Sequence, residues 1–174
     1  MTKGIEIIVE DETWTEIEGY SDWNKSLDAL FQEATRKKYQ GNKRCWLGLL
    51  LTDDARIKIL NRNFRNVNKP TNVLSFPEHE TEFWNNLDIS VETSEIFLGD
   101  IAMSYEQIMR ECREYSINFF DRCSHLFVHG VLHLFGADHI EPKEQEEMES
   151  MEIEILKKFG MKNPYVLEGE KNNI

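Results

Sequence analysis

Apolar residues recur along this chain with two periods, and the switches between them mark out its elements. Ile5-Glu6-Ile7-Ile8-Val9-Glu10 partly alternates and is rich in β-branched residues, which predicts a strand. Trp23, Leu27, Leu30, Phe31 and Ala34 share one helical face, so a helix is expected from a cap at Ser21 or Asp22 to about Lys38. After the turn at Gly41-Asn42, Cys45-Trp46-Leu47-Gly48-Leu49-Leu50-Leu51 is apolar throughout and of strand length, the pattern of a central strand. Thr52 or Asp53 opens a second helix to about Phe64, carrying Ile57, Leu60 and Asn61. A polar loop at 65–72 leads to Val73-Leu74-Ser75-Phe76, a short strand stopped by Pro77. A proline in that place fits an edge strand.

Residues 78–95 are polar and acidic, with Trp84, Leu87 and Ile89 interspersed, and read as a long loop or flap. Phe97-Leu98-Gly99-Asp100-Ile101-Ala102-Met103 is a further strand. Ser104 is placed to cap a helix from Tyr105 to about Tyr115. A strongly apolar helix follows over about 118–135. Pro142 suits the first position of a last helix, whose stripe of Met148, Met151, Ile155 and Phe159 reaches Gly160. Four strands and about five helices out of strict alternation predict an α+β fold, expected as one domain over residues 1–174.

Composition narrows the class. Four Trp, ten Phe and five Tyr in 174 residues fit a packed globule. No apolar run is long enough to span a membrane. The first residues lack the apolar core of a signal peptide, and Cys45, Cys112 and Cys123 are odd in number with no C-x-x-C spacing, so a cytosolic location is expected. The net charge of -12 is unevenly spread. Residues 34–72 carry ten Lys and Arg against Asp53 and Asp54, a net +8, leaving -20 for the rest. Such asymmetry either forms one basic face on an acidic body or is ordinary solvated charge.

The candidate chemistry lies in the apolar helix. Three of the five histidines, His129, His133 and His139, fall within eleven residues. His129 and His133 are spaced i, i+4 and share a helical face. Gly136 offers the left-handed conformation that ends a helix, so His139 can fold back as a third corner. Three imidazoles with an open position describe a catalytic zinc site, although imidazole-only sites also accept nickel or copper. The spacing follows the extended zinc-protease pattern, except that Gly130 stands where those enzymes carry their general-base Glu. Peptide hydrolysis by the usual route is therefore disfavoured. Asp138 is placed either to orient a ligand imidazole or to cap the turn. His125, one turn before His129, suits support or packing better than ligation. Asp100 is open between a turn role and contact with the site.

The segment His129-Gly130-x-Leu132-His133-Leu134-x-Gly136-x-Asp138-His139 resembles the signature of the YbeY family of bacterial endoribonucleases. So do Asn61-Arg62-x-Phe64-Arg65, Lys69-Pro70-Thr71-Asn72-Val73-Leu74-Ser75-Phe76-Pro77, Leu98-Gly99-Asp100-Ile101 and Asn163-Pro164-Tyr165. The likeness runs from the strand at Cys45 to Tyr165, and the 78–95 segment looks longer than the family's connection. The resemblance implies a small mixed four-stranded sheet and one zinc per chain on His129, His133 and His139. It implies cleavage of single-stranded RNA in ribosomal RNA maturation, notably at the small-subunit 3′ end, and in ribosome quality control. No DNA or membrane partner is expected. Arg65 matches the family's functional arginine, and a guanidinium also suits a phosphate on chemical grounds. Two other readings stand beside this one: a metal hydrolase of another class, such as a peptidase with a displaced base, and a non-catalytic ribosome-assembly factor with a structural metal.

Overall fold

The computed structural model describes residues 4–87, 93–137 and 140–169. Strands β1 (Ile5–Val9), β2 (Arg44–Thr52), β3 (Val73–Pro77) and β4 (Glu95–Ser104) form one sheet in the order β1-β2-β4-β3. β1, β2 and β4 run parallel, and β3 pairs antiparallel with β4. The sheet is mixed, the 45–51 run is interior, and the strand that ends in Pro77 lies on an edge where a missing N–H costs no ladder bond.

Eight helices are described: α1 (Thr13–Glu16), α2 (Tyr20–Lys38), α3 (Asp54–Arg65), α4 (Thr81–Asn85), α5 (Tyr105–Tyr115), α6 (Phe119–Leu134), α7 (Pro142–Lys158) and α8 (Pro164–Gly169). The five longer ones are those the periodicity predicts. The three short ones span fewer than two turns, too little for a helical period to register. α1 exists because of what Trp14 reaches: its ring is fully buried against Trp23 and its Nε1 donates to the carbonyl of Thr52 at 3.0 Å. α4 lies within the expected loop, with Trp84 packed on Phe135 at a centroid distance of 4.8 Å.

Caps differ in detail from the expectation. α2 starts two residues before the earlier expected cap, on Gly19 at φ 95°, with no side-chain cap hydrogen bond. α3 is capped by Asp53, whose Oδ1 accepts from the Arg56 amide at 2.8 Å. Ser104 precedes α5 but instead donates to Asp54 Oδ1 at 2.6 Å. Asn118 caps α6, accepting from the Phe120 and Asp121 amides.

The main core lies on one face of the sheet. Leu47, Leu49 and Leu51 of β2 point into it, and α6 packs there against β3, β4, α2 and α7. α6 is buried around most of its circumference, from Phe119 to Leu134, as expected of a helix apolar on all sides. α3 covers part of the opposite face through a smaller cluster of Ile57, Leu74 and Ala102, with Leu50, Leu60 and Phe76. Among the described residues no helix is long and apolar enough to cross a membrane.

Candidate functional site

α6 brings His129 and His133 together as their spacing predicts. Both are half-buried and their Nε2 atoms lie 3.0 Å apart. Two imidazoles on one tetrahedral zinc, each bonded at about 2.0 Å, would hold their nitrogens roughly 3.3 Å apart, so the pair fits a shared ion with little movement. The helix stops just beyond them, and Gly136 takes the left-handed conformation at φ 82°. His139 and Asp138 lie outside the described residues. Among the described residues no group of three or more His, Cys, Asp or Glu is placed to hold a metal.

Behind His129 stands a residue that the sequence reading passed over. Glu152 of α7 is fully buried, and its Oε1 lies 2.5 Å from His129 Nδ1. Its Oε2 lies 3.1 Å from His125 Nε2 and accepts from the Tyr165 hydroxyl. Burial alone would raise the Glu152 carboxyl, but the hydrogen bonds from His125 and His129 outweigh that and hold it down at about 2. The signal was present: Glu152 falls four residues after Met148 and three before Ile155, inside the apolar stripe of α7. His125 is buried and supports Glu152, in keeping with the supporting role expected of it.

Gly130 owes its identity to packing. A Cβ there would lie 3.0 Å from Ile101 Cδ1 and 3.2 Å from Ser75 Oγ, because α6 meets the sheet at this point. The position that carries a general base in zinc proteases faces β3 and β4 here and has no room for a carboxylate. Gly130→Glu is expected to cost about 3 kcal/mol or more through crowding and an unpaired buried charge, as urea denaturation would register. Wild-type stability with new casein cleavage in that variant would refute this account.

Arg65 is the last residue of α3, not a loop residue, and Asn66 ends the helix at φ 58°. Its Nη2 donates to the carbonyl of Ser75 at 3.2 Å, which ties the helix end to β3. Asn61, buried one turn earlier, donates to the Lys69 carbonyl at 2.9 Å and holds the loop that follows. Arg65, Asn72, Ser75, His129 and His133 line one cleft of about 840 Å³. Glu78, Glu80 and Glu82 line it too, so the cleft has mixed charge.

The +8 segment does not form one uniform basic face. Arg36 and Lys37 pair with Glu33 and Glu154, Arg44 with Glu95 at 2.8 Å and Arg56 with Glu10 at 3.6 Å. Of its ten basic residues, Arg65 lines the cleft. Asp100 lies on β4 next to Gly48 of β2, in a separate hollow with Trp46, Phe97 and Phe64. Burial, and then the charge of Glu78, raises its carboxyl above the ordinary range.

The sequence model of the Endoribonuclease YbeY family matches residues 9–160. The chain belongs to that family. The match begins upstream of the expected start at Cys45 and takes in α1, α2 and all of α7. Among the YbeY relatives, an Endoribonuclease YbeY of Sinorhizobium fredii is 39% identical over 164 residues, covering 92% of this chain and 91% of its own. One from Parvibaculum lavamentivorans is 38% identical over 147 residues, covering 83% and 80%. One from Bradyrhizobium diazoefficiens is 46% identical over 120 residues, covering 68% and 63%. The solution structure of a Thermotoga maritima protein has a TM-score of 0.57 at 24% identity, covering 97% of this chain and 92% of that one; this likeness concerns the fold alone.

Proposed function

We propose that this chain is a zinc-dependent endoribonuclease that cuts single-stranded RNA. His129, His133 and His139 hold one zinc per chain, and Arg65 binds the phosphate at the cut. The substrate is ribosomal RNA, including the small-subunit 3′ end, in maturation and quality control on the ribosome. The observation that carries this reading is that Arg65 and the converging histidine pair line the same cleft in a chain of the YbeY family.

When bound, zinc supplies Lewis-acid polarisation and positive charge where negative charge develops. The chain's own residues do the rest. Arg65 has donors beyond the one given to Ser75, and its planar fork matches two phosphate oxygens. β3 sets the distance between Arg65 and α6. A single strand can splay its backbone into such a cleft, whereas a duplex holds its phosphates on a rigid cylinder. Cys45, Cys112 and Cys123 are buried free thiols, and burial pushes the first two up to about 11. Unpaired thiols suit the reducing cytosol, where we place the protein.

The test is a digest of unstructured RNA, duplex RNA and casein by purified protein in one buffer, with zinc and with a chelator. Zinc-dependent cutting of the unstructured RNA alone is expected. Casein cleavage without RNA cleavage would replace this reading with a peptidase. RNA binding with neither activity under zinc, nickel or copper would replace it with an assembly factor.

Salt dependence gives a second check. Arg65 lines the cleft and Arg62 and Lys69, near it in sequence, are exposed, while four other cations of the segment are already paired. Engagement of roughly three phosphates on a single strand predicts a slope of log affinity against log salt of about -2. A much steeper slope in a filter-binding titration would mean that a wider basic surface takes part.

A further inference from the structure

The buried polar side chains behind the cleft form one continuous chain with a fixed direction. Asn72, in the turn before β3, donates through Nδ2 to both oxygens of Glu111 on α5, at 3.0 and 3.2 Å. Arg122 of α6 donates to Glu111 Oε2 through Nε at 3.0 Å and Nη2 at 2.9 Å. Its Nη1 lies 3.1 Å from His125 Nδ1. His125 Nε2 meets Glu152 Oε2, and Glu152 Oε1 meets His129 Nδ1.

The direction follows from what each group can do. A guanidinium only donates, so His125 Nδ1 must accept. A neutral imidazole then carries its proton on Nε2 and donates it to Glu152. A carboxylate only accepts, so Glu152 Oε1 takes the Nδ1–H of His129. The His129 Nε2 lone pair is left facing His133 and the cleft. Which nitrogen of a histidine is available is set by the hydrogen bond the other makes.

We infer that Arg122, acting through His125 and Glu152, fixes His129 in the tautomer that presents Nε2 to a metal. Arg122 is thus a positioning residue, whose described bonds go to Glu111 and His125 rather than to His129. This inference rests on the reading of His129 and His133 as metal ligands. Both ends of the Arg122–Glu111 pair are largely buried, at 11% and 15% side-chain exposure, so the arginine has little freedom to turn away. Tyr165, from the Asn163-Pro164-Tyr165 segment, donates to the same Glu152 oxygen as His125. That gives the buried carboxylate three donors, which a charge removed from water requires.

The design predicts a frustrated isostere. Glu152→Gln keeps the volume, but its amide must turn an N–H toward either His125 or His129. In the first case His125 has to move its proton to Nδ1, against Arg122. In the second His129 has to give up the Nδ1 proton. Arg122→Gln acts differently: its amide oxygen can accept from Nδ1–H of His125 and so permits the wrong tautomer. Arg122→Lys, like arginine, only donates.

The experiment reads two quantities in the full-length protein as purified. Imidazole nitrogen NMR reports the tautomer of His125, which is not a ligand. Chelator competition reports zinc affinity. Wild type is expected to carry the His125 proton on Nε2. Glu152→Gln should weaken zinc by about 10- to 100-fold, the usual effect of losing a partner behind a ligand. Arg122→Gln should admit Nδ1-protonated His125 and weaken zinc by about 10-fold, while Arg122→Lys restores both properties. A wild-type His125 protonated on Nδ1, or unaltered zinc affinity in both glutamine variants, would overturn the inference. Should Glu152→Gln fail to fold, the Arg122 pair decides alone. Zinc retained by His133→Ala would overturn the metal reading instead, and the His125 tautomer would still decide the direction of the chain.

Discussion

His133→Ala is expected to release the zinc and abolish RNA cleavage while the fold survives. His133 is half-buried at the end of α6, one turn beyond His129. Its side chain meets the His129 ring edge-on at a centroid distance of 4.6 Å and lines the cleft. Truncation therefore opens space toward solvent and leaves the core intact. A four-ligand zinc site is worth about 10–16 kcal/mol, so one ligand contributes about 3 kcal/mol, or roughly 100-fold in affinity. Elemental analysis after dialysis should find near-stoichiometric zinc in wild type and little in the variant, with helical circular dichroism unchanged. Full zinc retention would remove His133 from the site and with it the reading of the whole motif.

How much of this was legible in the sequence depends on what each feature rests on. Elements held by a repeating pattern were readable. The uninterrupted 45–51 run is interior because β1 and β4 pair with both of its edges, with one face in the main core and the other partly covered by α3. The strand before Pro77 is an edge for want of an N–H. The i, i+4 histidines converge because helical geometry requires it. Short elements held by the long-range contacts of one side chain were not readable. α1 is organised by Trp14 reaching Thr52, and α4 by Trp84 packing on Phe135; no local period records either contact. The same holds within the site. Glu152 stands in a helix whose other glutamates are mostly exposed, and counted with them it looks like one more solvated charge. Its position on the apolar stripe was the distinguishing mark. Charge summed along the chain misled for a related reason. The +8 segment is contiguous only in sequence, and folding pairs Arg36, Lys37, Arg44 and Arg56 with acids from outside it. Gly130 read correctly as a missing base, but the cause lies in the contact of α6 with Ser75 and Ile101, which no spacing reveals.

The second large effect is expected at Arg65, and it separates chemistry from metal binding. Arg65→Glu should lose RNA cleavage by at least about 100- to 1000-fold, the range for removing one preorganised donor to a developing charge. Reversing the charge also sets a carboxylate against the phosphate in a cleft that already holds Glu78, Glu80 and Glu82. Zinc content should not change, because the histidine pair sits on α6 and the structure ties Arg65 to β3 through the Ser75 carbonyl alone among the bonds described for it. Stability should fall little: Arg65 is exposed at a helix end, where losing one such bond and placing a negative charge near the C-terminus costs about 1 kcal/mol. Arg65→Lys makes the test sharper. It keeps the charge but loses the fork, so binding of RNA should survive better than the cleavage rate if two phosphate oxygens are gripped at once. Single-turnover cleavage, zinc analysis and melting temperature on the same preparations would check all three statements. Cleavage at the wild-type rate in Arg65→Glu would reduce Arg65 to a surface charge and leave the phosphate without a partner from α3.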